Sequence, residues 1–171
     1  MLRLLLDDPD NDVAAARALW SVEGDPEPLL SVFTRHLGND TPAAYSALDG
    51  IGEVGSAAAA LSPGLRAWID RAETGRQHWI AEALWRITGD GETALPVLTA
   101  AWTAEPHTRR PIVTCLADMG AAAALLRTEL RSVRRHTVRR ISAYVDLYQT
   151  SIASDELLRL CAKTLAAIDR S

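Results

Sequence analysis

Apolar residues recur along this chain every three or four positions, in short blocks that stop at a glycine or a proline. Between Asp12 and Leu37, Val13, Ala16, Leu19 and Trp20 fall on one helical face. That is the spacing of an amphipathic helix, not the alternation of a strand. Gly24 is placed to take the left-handed conformation that ends such a helix. Asp25 suits the cap of the next one, with Pro26 at its first position. A second helix over 27–37 then has Leu29, Leu30, Val32 and Phe33 as its buried residues.

The same plan recurs. Ala16-Arg-Ala-Leu-Trp-Ser-Val-Glu-Gly-Asp25 aligns without a gap on Ala81-Glu-Ala-Leu-Trp-Arg-Ile-Thr-Gly-Asp90, at a constant offset of 65. The match runs on through Glu27/Glu92, Leu30/Leu95, Val32/Val97 and Phe33/Leu98. An offset of 65 implies two units of about 32 with a weaker copy between them. Ala47-Leu48-Asp-Gly-Ile51-Gly52 supplies that copy, and Cys115-Leu116-Ala-Asp-Met119-Gly120 a fourth. The anchor leucines 19, 48, 84 and 116 recur at intervals of 29, 36 and 32, as in a solenoid whose loops vary.

The remaining elements follow from the same signals. Ser56 to Leu61 reads as a short turn of its own, and Ser62-Pro63 as a cap and first-turn proline before Leu65, Trp68 and Ile69. The third unit carries a helix around 92–102, and the fourth covers about 107–120 and 121–134. A closing pair over about 137–149 and 155–169 holds Ile141, Val145 and Tyr148, then Leu157, Leu158, Cys161, Leu165 and Ile168, with Asp155 as cap. The fold expected is all-α: a right-handed α-solenoid of about five antiparallel helix pairs in a single domain, 1–171. Its units are about 10–38, 41–72, 77–104, 107–134 and 137–169. Residues 1–6, four of them leucine, read as the end of a preceding helix.

Ala-Leu-Trp-Arg-Ile-Thr-Gly-Asp (83–90), followed by Ala-Leu-Pro-Val-Leu (94–98), resembles the HEAT-like repeats of the phycobilisome-lyase type found in actinobacterial proteins. The resemblance covers about residues 10–135. It implies a superhelix whose concave face binds another protein, and it specifies fold far better than function.

Composition adds three points. Cys115 and Cys161 lie in apolar helical stretches without metal-type spacing, which reads as two reduced core thiols. No apolar run reaches the ~18 residues of a membrane span. The first residues lack the pattern of a signal peptide, so a cytoplasmic protein is expected. Charge is polarised: residues 1–60 hold ten acidic and three basic side chains, whereas residues 121–171 hold five acidic and nine basic. One acidic and one basic end would steer charged partners.

Candidate chemistry is sparse. The four histidines, 36, 78, 107 and 136, form no ligand pattern and read as lone exposed side chains. No nucleophile elbow and no phosphate-binding glycine loop occurs. Neither catalytic, cofactor-binding nor metal-binding residues are expected. Trp20, Trp68, Trp79, Trp85 and Trp102 either fill the gaps between helix layers or anchor a partner. Trp79 is the one expected to be exposed, because it stands where the first unit has only Ala14. Arg127, Arg131, Arg134 and Arg135, with Arg139 and Arg140 beyond, form either a solvated basic face or a patch for an acidic surface.

These readings converge on a non-catalytic scaffold that binds a protein or peptide through its concave surface, using Trp79, Arg127, Arg131, Arg134, Arg135 and Arg139. A homo-oligomer, or contact with preceding repeats, is expected through residues 1–20. The alternative is a repeat enzyme acting on nucleic acid in the manner of alkylbase glycosylases, or a chromophore-lyase-like protein. For a glycosylase, Asp90 near Trp85 and Asp70 near Trp68 are the residues to weigh, but Asp90 reads as a helix cap. The acidic first half argues against nucleic-acid binding.

Overall fold

The computed structural model of the chain describes residues 2–39, 41–73, 75–120, 123–124, 127–128, 130–132 and 148–170. The described residues are all-α, with no strand among them. The chain divides into two compact units, Met1–Leu98 and Thr99–Ser171.

In the first unit a 3-10 turn, Leu2–Asp7, packs on helix α1, Asp12–Glu23. Next come α2, Glu27–His36, and α3, Pro42–Val54. A second 3-10 turn, Gly55–Leu61, leads into α4, Ser62–Ile69, and then α5, Gln77–Thr88. Helix α6, Gly91–Ala104, begins in this unit. Neighbours in sequence pack together, α1 on α2, α2 on α3 and α4 on α5, and α3 also packs directly on α5.

The anchor leucines explain these contacts. Leu19, Leu48 and Leu84 are buried on α1, α3 and α5, and each such side chain contributes about 1.5–3 kcal/mol by leaving water. Around them lie Ala16, Ala44, Ala47, Ala81 and Ala83, all buried, which let the helices approach closely. Leu29, Val32 and Phe33 of α2 and Leu65, Trp68 and Ile69 of α4 complete the core of this unit.

Local stops follow the sequence signals, with two departures. Gly24 (φ 67°) and Gly89 (φ 69°) both adopt the left-handed conformation, and each donates its N–H to the tryptophan carbonyl four residues back. Pro26 has helical dihedrals, and Asp25 accepts from the Glu27 N–H at 3.1 Å. The first departure is Ser62, which does not cap α4: the preceding turn runs straight into the helix, so the N–H groups a cap would serve are already turned inward. The second is Gly52, which lies inside α3, the helix ending at Gly55. A Cβ on Gly52 would sit 2.8 Å from Cδ of Arg86, so the glycine there seats the arginine stem from α5.

The second unit contains the 3-10 turn Pro106–Thr108, helix α7, Arg109–Met119, and helix α8, Tyr148–Arg170. Leu116 is buried on α7, as are Ile112, Val113, Cys115 and Met119. Helices α7 and α8 pack together, with Cys161, Leu165 and Ile168 buried on the α8 side. The buried Thr164 hydroxyl lies 3.1 Å from the Val113 carbonyl oxygen and 2.9 Å from that of Leu160. Asp155 does not start the last helix, which is already formed at Tyr148. Ile141 and Val145 lie outside the described residues.

Candidate interaction surface

The start of α5 carries the most distinctive surface feature. Gln77 sets it in place: its amide donates to the carbonyls of Ile69 (2.9 Å) and Ala72 (3.3 Å), tying α5 to the end of α4. Two residues on, Trp79 is 40% exposed. Its ring centroid lies 5.1 Å from that of Tyr45 on α3, at an interplanar angle of 56°, and 4.9 Å from that of His78. The Tyr45 ring in turn lies 5.3 Å from the buried Trp68. Arg76 places its guanidinium 5.4 Å from the Tyr45 centroid, and its Nε is 3.4 Å from Glu73.

Tilted aromatic pairs at these separations contribute about 0.5–1.5 kcal/mol each beyond the area they bury. An exposed arginine over a ring adds about 0.5–1 kcal/mol. Trp79 is therefore held through Tyr45 to the core at Trp68. A half-exposed indole already packed against neighbouring rings has less conformational entropy to lose when a partner covers it.

The other tryptophans divide differently. Trp68 and Trp102 are buried, and Arg109 stacks 5.8 Å from the Trp102 ring while its Nε donates to the Trp102 carbonyl. Trp20 and Trp85, at matched positions, are both half-buried.

The basic residues are placed only in part. Arg127 pairs with Asp169 of α8 at 3.1 Å, and its Nε is buried without a hydrogen-bond partner. Arg131 is exposed one helical turn further on. Arg134, Arg135 and Arg139 lie outside the described residues. Trp79 belongs to the first compact unit, Arg127 and Arg131 to the second.

Two histidines depart from the expected exposure. His36 is half-buried, its Nε2 2.8 Å from the buried Asp12 carboxylate, which also faces Arg35 at 3.4 Å. His78 is buried beside Trp79. The reason is helix register: both histidines fall on the inner side of their helices, which a scan for ligand spacing does not test. His107 is exposed, 3.5 Å from Glu105, and His136 lies outside the described residues.

Asp90 is fully engaged. One carboxylate oxygen accepts the Thr93 N–H at 3.1 Å, and the other faces the Thr93 hydroxyl at 2.7 Å and the Arg66 guanidinium at 2.6 Å. The Thr93 hydrogen bonds, aided by Arg66, hold its carboxyl below the usual aspartate range. Asp70 is exposed. Among the described residues no three His, Cys, Asp or Glu side chains group so as to hold a metal ion, and no helix is long and apolar enough to cross a membrane.

Tyr45 and Arg76 were not singled out from the sequence, and His78 was read there only as an exposed side chain. A signal for Tyr45 existed: it stands three residues before an anchor leucine, where the first and third copies have Ala16 and Ala81. A large ring at a small-residue position must displace a helix or find a partner, and here it finds Trp79.

The chain is thus an all-α protein with a half-exposed, core-anchored aromatic face on one unit. Compared with known proteins, it matches no family model, no curated protein and no solved structure.

Proposed function

We propose that this chain is a non-catalytic, cytoplasmic protein-binding module. It is built as a right-handed α-solenoid of HEAT-like helix pairs that offers its concave surface to a protein or peptide. Trp79 is the anchor, and Arg127, Arg131, Arg134, Arg135 and Arg139 supply charged contacts that steer an acidic partner. The observation that carries this reading is Trp79 itself: a large aromatic, 40% exposed, packed against Tyr45. Tryptophan and arginine are the residues most enriched where binding energy concentrates.

The test is affinity capture with the intact chain, followed by titration of the captured protein against wild type, Trp79→Ala and Arg127→Glu/Arg131→Glu. An anchor tryptophan contributes at least ~2 kcal/mol, so Trp79→Ala should weaken binding by more than about tenfold with circular dichroism unchanged. The charge reversals should weaken it most at low salt. Equal affinity of Trp79→Ala and wild type would remove the anchor, and with it this reading.

A further inference from the structure

The position three residues after each anchor leucine is occupied by Val22, Ile51, Ile87 and Met119. It shares a helix face with the residues four before and one before the leucine, since those offsets lie within about 60° of arc. On α3 this stripe is Ala44, Ala47 and Ile51, all buried, and on α5 it is Ile80, Ala83 and Ile87, all buried. On α7 it is Ile112, Cys115 and Met119, again all buried. On α1 it opens progressively: Ala15 is buried, Ala18 is intermediate, and Val22 is 78% exposed.

What packs on each helix differs. Helix α3 has α2 against it, and α5 has α4 and the Gly55–Leu61 turn. Helix α1 packs on α2, more lightly on α3 through the Arg17–Glu53 pair at 2.7 Å, and on the short turn Leu2–Asp7, which itself leaves Leu2 exposed and Leu4 80% exposed. Arg3 and Glu23 join at 2.5 Å, which sets the turn beside the end of α1 that carries Val22. Leu2, Leu4 and Val22 are, with Trp79, the large apolar side chains exposed among the described residues.

We propose that this edge of α1 binds an amphipathic helix of another polypeptide, one whose apolar stripe is flanked by Arg or Lys. The shape argument is internal to the chain: the matching stripes of α3, α5 and α7 are buried throughout, whereas that of α1 opens to solvent at Val22. The charge argument comes from the rim. Asp7, Asp8 and Asp10 close or follow the turn, and Glu23, Asp25 and Glu27 follow Val22, against Arg3 and Arg17 as the cations between Met1 and Glu27. Asp8 accepts hydrogen bonds from the Asn11 amide (2.8 Å) and the Asp10 N–H (3.1 Å), which keep it ionised. A second copy laid edge to edge would set this acidic rim against itself, so a basic helix is the better complement.

The probe is a fluorescent synthetic peptide of about five helical turns, with leucine at helical a and d spacing and lysine elsewhere, titrated into the full chain. The wild type should bind it at least tenfold more tightly than a scrambled peptide of the same composition, and than one with glutamate in place of lysine. Leu4→Ser/Val22→Ser changes no charge and alters only exposed side chains, so its circular dichroism should be unchanged; it should lose at least tenfold in affinity. Equal binding by that double variant, or by the glutamate peptide, would overturn the proposal. So would a peptide-free dimer in light scattering that the double variant abolishes, because the occupant would then be a second copy.

Discussion

Helices α1 and α5 share six of ten residues over 16–25 and 81–90 and end in the same turn, yet they sit in the molecule differently. Gly24 has φ 67° and ψ 12°, Gly89 has φ 69° and ψ 11°, and both N–H groups return to a tryptophan carbonyl. Away from that turn the likeness breaks. Position 22 is open and position 87 is buried. Position 12 is a buried aspartate facing His36 and Arg35, whereas position 77 is a glutamine that ties down the end of α4. Asp25 takes one backbone N–H; Asp90 takes a backbone N–H, a hydroxyl and an arginine. Turn geometry is set by a few adjacent residues and so survives repetition. Burial and side-chain partnership are set by whatever lies alongside: α5 has α3, α4 and the Gly55–Leu61 turn packed on it, where α1 has α2, the short turn Leu2–Asp7 and a lighter contact with α3.

That contrast yields a split in stability. Leu84→Ala should cost about 2–5 kcal/mol and Ile87→Ala a similar amount, because both side chains are buried in the core. Val22→Ala, at the position matching Ile87, should stay within about 0.5 kcal/mol. Urea denaturation of the three variants measures this directly. A Val22→Ala cost as large as that of Ile87→Ala would mean that the two helices are buried alike and would dissolve the comparison.

Where the helices agree, the substitutions should agree too. Gly24→Ala and Gly89→Ala each place a Cβ on a left-handed residue, at a cost of about 1–2 kcal/mol. Neither Cβ would meet another atom within 4 Å, so backbone strain is the whole effect. The two losses should match, and the double variant should show their sum, as distant sites do. A markedly larger loss at one of them would show that its turn carries a tertiary contact.

The smallest expected difference is at the caps. Asp90→Ala should cost about 0.5–2 kcal/mol, and Asp25→Ala should fall at the low end of that range, since Asp90 has more partners to lose. The Asp90 carboxyl is held below the usual aspartate range in the fold, so its contribution is present above the unfolded value near 3.9 and is lost as pH falls through the folded value. The stability gap between wild type and Asp90→Ala should therefore be flat from neutral pH to about pH 5 and should narrow in stronger acid. A gap that persists unchanged at pH 2 would assign the effect to packing, not to the ionised cap.

The sequence by itself determined the helices and their punctuation. Anchor leucines 19, 48, 84 and 116 are buried, the two matched glycines are left-handed, and α2 buries Leu29, Val32 and Phe33. Each of these depends on residues within about one turn of helix, and side-chain spacing encodes such relations directly. Tertiary structure decided the rest. It made Gly52 a seat for the Arg86 stem instead of a helix stop, and ran α8 through Asp155. It buried Asp12 with His36, joined Arg66 to the Asp90 cap, and propped Trp79 on Tyr45 and Trp68. Gly52 with Arg86, Asp12 with His36, Arg66 with Asp90 and Tyr45 with Trp79 are all distant in sequence, and each contact depends on the angle at which one helix crosses another. That angle comes from the packing of whole side-chain rows, a collective property that no single stretch of this chain spells out.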